Sequence, residues 1–555
     1  MEHPRTLFEE RLEFKPRIPK TLRDIAALNP SVAKAAPTDN GWLKDLFPNT
    51  WQQGSISFDN DGGASHSPLR VGVVLSGGQA PGGHNVISGL YDALKTLHTE
   101  SCLLGFKNGP SGILDNDTVE INESLLKCYR NTGGFDIIGS GRTKIESIEQ
   151  MEAAEKTVRD LKLDGLVIIG GDDSNTNAAL LAEFFLEKGC QTKVTGVPKT
   201  VDGDLKNEHI EISFGFDSAT KVYSELIGNI LRDARSAKKY YHFVKLMGRS
   251  ASHIALECAL QTHPHLALIS EEIAAKNMTF QQIVNDIADM VAGRAADGKN
   301  YGVVLIPEGV IEFIPEFKVL ISELNNLLAR EDMAREIEGI ASRDEKTRFV
   351  SRQLSWEAKR CFDAIPENIQ NEMLLERDPH GNVQVSKIET ERLFTQAVRR
   401  ELRRRASEGN YQGKFSTQPH FFGYSGRSAF PSNFDSQYCY SLGFVAAVLI
   451  DAGMTGYMGC VCNLAKDVGE WKIKGIPLTT MMTMEERHGK SKPVIKKALV
   501  ELDGAPFKYF EEMRETWKYS DDYACPGPMQ FYGPKELSEA TTLTLQHEHQ
   551  ELVAT

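Results

Sequence analysis

No apolar run in this chain approaches the ~18 residues that a membrane-spanning helix needs. The opening residues, MetGluHisProArgThr, lack the basic start and apolar stretch of a secretory leader, so a chain that works in the cytoplasm is expected. Basic residues are in deficit: 63 Lys and Arg stand against 76 Asp and Glu, for a formal net charge of −13. General nucleic-acid binding needs a basic footprint, and the balance argues against it. Small anionic substrates are compatible, because distant charge is screened beyond ~10 Å and a few placed Lys and Arg dominate locally. Cysteine is sparse, nine in all, and only Cys460 and Cys462 lie close, at a Cys-x-Cys spacing poor for a metal. Free thiols in a reducing compartment follow. Two nucleotide fingerprints are also missing. SerGlyGlyGlnAlaProGlyGlyHisAsn (76–85) lacks the Lys-Ser/Thr of a P-loop and does not spell G-x-G-x-x-G, which argues against a nicotinamide oxidoreductase. GlyLysSer (489–491) is no P-loop either, because position 484 is Met where the first glycine belongs.

What is present is a globular composition, 41% hydrophobic and 25% charged over 555 residues, enough for two to four domains. Apolar runs predict strands at 70–75, 102–106, 134–139, 164–169, 193–197, 240–246, 266–269 and 301–306. Helices are predicted between them, at 83–98, 146–162, 175–188, 216–234, 250–261 and 279–293. That alternation implies βαβ units and parallel sheets. The fold expected is α/β, two Rossmann-like three-layer domains with mainly parallel sheets, plus an N-terminal extension and a helical insertion. The expected divisions are 1–69, an extension that wraps the body or an oligomer interface, and 70–215, an α/β domain completed by part of 428–490. A second α/β domain is expected at 216–310, the charged helical insertion at 311–415, and return segments with a polar tail at 416–555. The tail after 525 is expected to pack late or stay mobile. The ArgArgGluLeuArgArgArg run at 399–405 reads as a solvated helix face.

Chemistry-bearing residues collect where predicted strands end, the edge at which parallel sheets bind phosphates. Glycines at 77 and 78 let backbone N–H groups approach a phosphate at a helix start. Arg142, after GlySerGly, can clamp a phosphoryl oxygen. Asp172 and Asp173, adjacent after LeuValIleIle, repel one another unless a cation or N–H donors neutralise them. Mg²⁺ held by one or two carboxylates and by phosphate oxygens meets that need, and a helix N-cap is the structural alternative. ProLysThrValAspGlyAsp (198–204) adds the point charge of Lys199 and two carboxylates, Asp202 and Asp204, either able to take a proton from a substrate hydroxyl. MetGlyArg (247–249), ProGluGly (307–309) and TyrSerGlyArg (424–427) close further strands or turns with Arg249, Glu308 and Arg427. Together these suit a phosphorylated sugar and a phosphoryl donor.

The order GlyGlyGlnAlaProGly, GlyGlyAspAspSer, ProLysThrValAspGlyAsp, MetGlyArg, ProGluGly resembles the phosphofructokinases, and among them the long diphosphate-dependent branch. The match spans roughly 70–310 and again 420–465. The resemblance implies reversible, Mg²⁺-dependent transfer from diphosphate to the 1-hydroxyl of fructose 6-phosphate, giving fructose 1,6-bisphosphate and phosphate. It implies that Gly77, Gly78, Arg142 and Lys199 bind diphosphate, that Asp172 holds Mg²⁺, and that Asp202 is the base, with Asp204 in the same substrate loop. Thr200 and Val201 would position the sugar phosphate, and Met247, Gly248, Arg249, Glu308, Tyr424, Ser425, Gly426 and Arg427 would bind it. Lys239 and Tyr240 match positions that reach into a neighbouring subunit, so a homodimer or larger homo-oligomer is implied. Asp173 and Lys199 choose the donor: relatives that use ATP carry Gly at the first position, and a carboxylate there occupies the space of a nucleotide's inner phosphate. Ser425 departs from the Glu common in the branch, which removes a charge from that contact. An ATP-dependent phosphofructokinase is the competing activity. A non-catalytic regulatory subunit conflicts with the presence of Asp172, Lys199, Asp202 and Arg249 together.

Overall fold

Most of the apolar runs pair as strands of two sheets. The computed structural model describes residues 5–35, 41–60, 62, 66–375, 383–487 and 490–554. In chain order the strands are β1 (Leu28–Val32), β2 (Ile56–Asn60), β3 (Arg70–Leu75), β4 (Cys102–Phe106), β5 (Thr118–Ile121), β6 (Gly165–Gly170) and β7 (Lys193–Pro198). Then come β8 (Tyr240–Leu246), β9 (Leu266–Ala267), β10 (Tyr301–Pro307), β11 (Thr417–Phe422), β12 (Tyr457–Cys462), β13 (Lys472–Pro477), β14 (Met482–Arg487) and β15 (Lys490–Ile495). The chain divides into two compact units. One is Met1–Val222 with Tyr424–Ala498 and Met529–His549; the other is Tyr223–Gly423 with Leu499–Pro528 and Gln550–Thr555.

The first unit holds a sheet ordered β1-β2-β13-β12-β7-β6-β3-β4-β5. Its middle strands, β12 to β4, are parallel, and antiparallel pairs flank them. Strands covered on both faces read as continuous apolar runs, and β6, GlyLeuValIleIleGly, is buried at every position. The chain leaves β3 for β4 on one side and returns to β6 on the other. That reversal opens a crevice at the carboxyl ends of β3 and β6, where open α/β sheets take their ligands. The helices Gly83–Leu97 and Asn433–Asp451 approach closely. A Cβ added at Gly89 would lie 2.1 Å from the carbonyl oxygen of Tyr440, and one at Gly443 would lie 2.3 Å from that of Val86.

The segment 1–69 supplies part of this sheet. β1 pairs with β2, and β2 joins β13 through Ser57–Lys474 and Ile56–Gly475. Arg11, fully buried, donates to Asn433 Oδ1 at 2.7 Å and Ser436 Oγ at 2.8 Å, with Phe14 and Phe531 on its guanidinium faces. The tail is anchored as well: Leu545 is buried and Lys221 donates to the carbonyl of Ala540 at 2.6 Å.

The second unit carries the parallel sheet β11-β8-β10-β9. The charged helical stretch does not have a core of its own. Phe317, Leu324, Phe362, Ile369, Phe394 and Val398 pack in one cluster with Tyr241, Phe243, Val304 and Ile306 of the strands. One predicted strand is absent: 134–139 forms turns, because Gly134 and Gly139 both adopt positive φ (88° and 70°). Ile137 and Ile138 are buried all the same, which accounts for the apolar run. Among the described residues no helix is long and apolar enough to cross a membrane. All nine cysteines are free.

Candidate active site

Three successive strand ends of the first unit build one neighbourhood. After β3, Ser76 bridges Gly141, and Gly77 donates its N–H to the Gly141 carbonyl at 2.8 Å. This ties the glycine turn to the loop that carries Arg142. Gly77 has φ 85°, open to glycine and strained for other residues. A Cβ there would meet Lys199 Nζ at 3.3 Å, and one at Gly78 would lie 3.7 Å from both Arg142 Nη2 and the guanidinium carbon of Arg427. Four of the predicted phosphate-binding positions, with Arg427, therefore converge on one turn.

Lys199 follows β7. Its backbone N–H donates to the Gly170 carbonyl at 2.9 Å, which fixes the side chain against β6, and Nζ donates to the Gly78 carbonyl at 2.6 Å. Only 6% of the residue is exposed. Burial pushes its pKa down to about 8. Arg427 and Arg142 push the same way, and Asp202 and Asp172 oppose them. A buried, cation-crowded ammonium is a site short of negative charge.

After β6 the helix Asp172–Glu187 begins. Its N-cap is Gly171, so Asp172 and Asp173 sit inside the first turn and neither is the N-cap residue. The helix N-terminus favours negative charge there. Burial nevertheless outweighs this for Asp172, whose carboxyl is pushed above its ordinary pKa, with Asp173 and Asp204 adding repulsion and Lys497 opposing it. Asp173 points elsewhere: its Oδ2 lies 3.3 Å from Lys144 Nζ, and Glu146 links that lysine's surroundings to Lys492 at 2.7 Å.

The loop after Lys199 is internally braced. Asp202 donates its N–H to Thr200 Oγ1 at 3.1 Å, and Thr200 Oγ1 donates to Asp204 Oδ1 at 3.3 Å. Gly203 turns the chain at φ 75°. Val201 and Asp204 are buried, and Asp202 is half-buried. Downstream, Asp435 accepts from the N–H groups of Gly215 and Ser218 at 3.0 and 2.9 Å and holds the loop's far end.

Lys497 escapes sequence reasoning. Its Nζ lies 3.5 Å from Asp172 Oδ2 and 3.8 Å from Asp204 Oδ2. Nothing in ValIleLysLysAla (494–498) marks it apart from Lys496; only the fold carries it there. No group of three or more His, Cys, Asp or Glu suited to a metal occurs among the described residues. Mg²⁺ does not need one, since it is commonly held by one or two carboxylates and by substrate phosphates. Burial first, and then its acidic neighbours, disfavour the negative form of Asp172, and a bound cation would relieve both.

The remaining predicted residues lie at strand ends too. In the second unit, Met247, Gly248 and Arg249 follow β8 and Glu308 follows β10. The Glu308 N–H donates to the Leu246 carbonyl at 2.9 Å, and a Cβ on Gly309 would lie 1.8 Å from the Arg249 carbonyl oxygen. These residues are thus brought together. Lys239 and Tyr240 are not: they stand at the opposite end of β8, a strand of seven residues and so about 20 Å away. Lys239 is exposed, its Nζ 5.1 Å from the ring centre of Tyr240, which adopts φ 71°. In the first unit, Tyr424 and Ser425 are exposed, Gly426 is buried, and Arg427 lies 5.1 Å from the Tyr424 ring.

A family model described as phosphofructokinase matches residues 70–450. The chain is 52% identical to a pyrophosphate–fructose 6-phosphate 1-phosphotransferase of Treponema pallidum (strain Nichols), a match covering 98% of this chain and 96% of the relative. It is 51% identical to subunit beta 1 of the enzyme of that name from Arabidopsis thaliana, covering 95% of this chain and 92% of the relative. Among solved structures, a pyrophosphate-dependent phosphofructokinase from Nitrosospira multiformis superposes with a TM-score of 0.53 at 15% identity. It covers 82% of this chain and 93% of that one, a likeness of fold.

Proposed function

We propose, on the premise that this chain belongs to the phosphofructokinase family, that it reversibly transfers a phosphoryl group from diphosphate to the 1-hydroxyl of fructose 6-phosphate. The products are fructose 1,6-bisphosphate and phosphate. The observation that carries the reading is the convergence of Lys199, Arg142 and Arg427 on the Gly77–Gly78 turn, beside the carboxylates of the neighbouring strand ends. Cations set in a turn of small residues suit a compact, highly charged donor.

In this reading Lys199 and Arg142 hold the diphosphate against the glycine turn. Lys199 also neutralises the departing phosphate, a charge that grows in the transition state. Asp202 takes the proton of the sugar hydroxyl as that oxygen attacks phosphorus. Thr200, Val201 and Asp204 set the loop that carries it. Arg249 and Glu308, with Met247 and Gly248, bind the sugar phosphate, as do Tyr424, Ser425, Gly426 and Arg427. Asp172 would hold Mg²⁺, which when bound supplies charge neutralisation at the phosphate oxygens. The work of the chain's own residues is positioning and charge compensation. The protein acts in the cytoplasm as a homo-oligomer, with Lys239 and Tyr240 serving the site of a second copy; its nine free thiols suit a reducing compartment.

The test is a coupled assay of the purified full chain with Mg²⁺ and fructose 6-phosphate, comparing diphosphate with ATP. A kcat/KM at least about a hundredfold higher with diphosphate is expected, the scale of discrimination that an unfavourable charge contact supplies. A preference for ATP would overturn the donor assignment.

A further inference from the structure

Lys497 is held by its neighbours on either side. Ile495 donates its N–H to Thr176 Oγ1 at 3.1 Å, on the helix that opens with Asp172. Ala498 donates its N–H to the carbonyl of Asp204 at 2.7 Å. Between these anchors the Lys497 ammonium faces Asp172 at 3.5 Å and Asp204 at 3.8 Å. Both separations exceed the ~2.7–2.9 Å of a charge-assisted hydrogen bond. The ammonium therefore faces both carboxylates at ion-pair distance, with 28% of its side chain exposed.

We infer that Lys497 is a tethered counter-cation that competes with the divalent metal for Asp172, so that metal loads by displacing it. It is a positioning residue, acting on the reaction through the metal's affinity. The inference rests on the reading of Asp172 as metal ligand. Its physical basis is simple. With Lys497 in place the carboxylate pair is half neutralised and attracts a second cation weakly. With Lys497 withdrawn the full negative charge of the pair is available.

The experiment is Mn²⁺ binding to the full-length protein without substrates, read from the free-Mn²⁺ EPR signal. Wild type, Lys497→Met, Lys497→Arg and Asp172→Asn are compared, with circular dichroism to check folding and Lys497→Gln as a second neutral variant. Lys497→Met should bind Mn²⁺ at least about fivefold more tightly than wild type, since a nearby positive charge has been removed. Lys497→Arg should bind like wild type. Equal or weaker binding by both neutral variants, with Asp172→Asn still lowering affinity, would overturn the inference while leaving the metal reading intact. Unchanged binding when Asp172→Asn is added to Lys497→Met would overturn the metal reading, and the inference with it.

Discussion

Lys199 carries a pH signature because it is buried among cations. In the free enzyme its ammonium is the charged form below about pH 8 and is lost above it. In the proposed function the charged form is the one that binds and neutralises diphosphate. The kcat/KM for diphosphate, which reports the free enzyme, should therefore fall about tenfold per pH unit above about pH 8. Lys199→Arg should lose that limb, because guanidinium stays charged, and should retain any limb due to the substrate itself. A limb unchanged in Lys199→Arg would assign it to another group. Asp173 poses a second question at this scale. Two unit charges ~4 Å apart at an effective dielectric near 20 repel by about 4 kcal/mol. Asp173, however, is 40% exposed and 3.3 Å from Lys144, so solvent and the lysine reduce the field that a nucleotide's inner phosphate would feel. What remains is a weaker repulsion than that figure. Asp173→Gly should raise kcat/KM for ATP by about tenfold and lower it for diphosphate. Lys144→Met should weaken diphosphate use without admitting ATP, because the carboxylate remains and only its neutralising partner has gone. Steady-state kinetics with both donors decide this, and a donor ratio unaltered by Asp173→Gly would remove position 173 from the explanation.

Among the elements, the pair of helices Gly83–Leu97 and Asn433–Asp451 fixes how the glycine turn is presented. Their backbones meet at Gly89 and Gly443, where an added Cβ would come within 2.1 and 2.3 Å of carbonyl oxygens. Gly89→Ala should destabilise the protein by about 2–4 kcal/mol, since backbone must move to accept the methyl group. Thermal denaturation should show it, and a melting temperature within a degree of wild type would mean that the helices slide apart at little cost. The central strands were legible in the sequence because strands buried on both faces have little polar side to show: β3, β6, β7 and β10 read directly as mostly apolar runs. Edge strands carry no such signal. β1, LeuAsnProSerVal, holds a proline and only one buried residue, so nothing in its pattern marks it as sheet. The opposite error arose at 134–139, where buried isoleucines mimic a strand that flanking glycines prevent. The strand-end positions of candidate residues such as Asp172, Lys199 and Arg249 were legible in the sequence. Lys497 was not, because its place beside Asp172 is set by backbone hydrogen bonds to Thr176 and Asp204, partners roughly 300 residues away.

At the scale of the molecule, a formal charge of −13 works against anionic substrates only at long range, and screening over ~8 Å in physiological salt leaves the local cations in control. The sharper constraint is the length of β8. Lys239 and Tyr240 precede it and Met247 to Arg249 follow it, so about 20 Å of strand separates two sets of residues that the proposed function gives to one substrate. A phosphosugar does not span that distance. If both sets act on one molecule, they must come from two copies of the chain, each lending its Lys239 end to the other's Arg249 end. A symmetric dimer does this without further contrivance, since a two-fold axis repeats every contact. Hybrids provide the test. Asp202→Asn should lower kcat by about 10²–10⁴-fold, by removing the base. Lys239→Ala should chiefly raise the KM for fructose 6-phosphate. Neither variant alone should be active at a sugar concentration well below the KM of the Lys239→Ala protein. Co-expressed in equal amounts, they should form mixed dimers in which one of the two sites has both its own Asp202 and its neighbour's Lys239. Random pairing makes half of the dimers mixed, so about a quarter of wild-type activity should return. Recovery of no activity from such hybrids, once their mixed composition is verified by differential tagging, would mean that each chain completes its own site and that Lys239 serves another purpose.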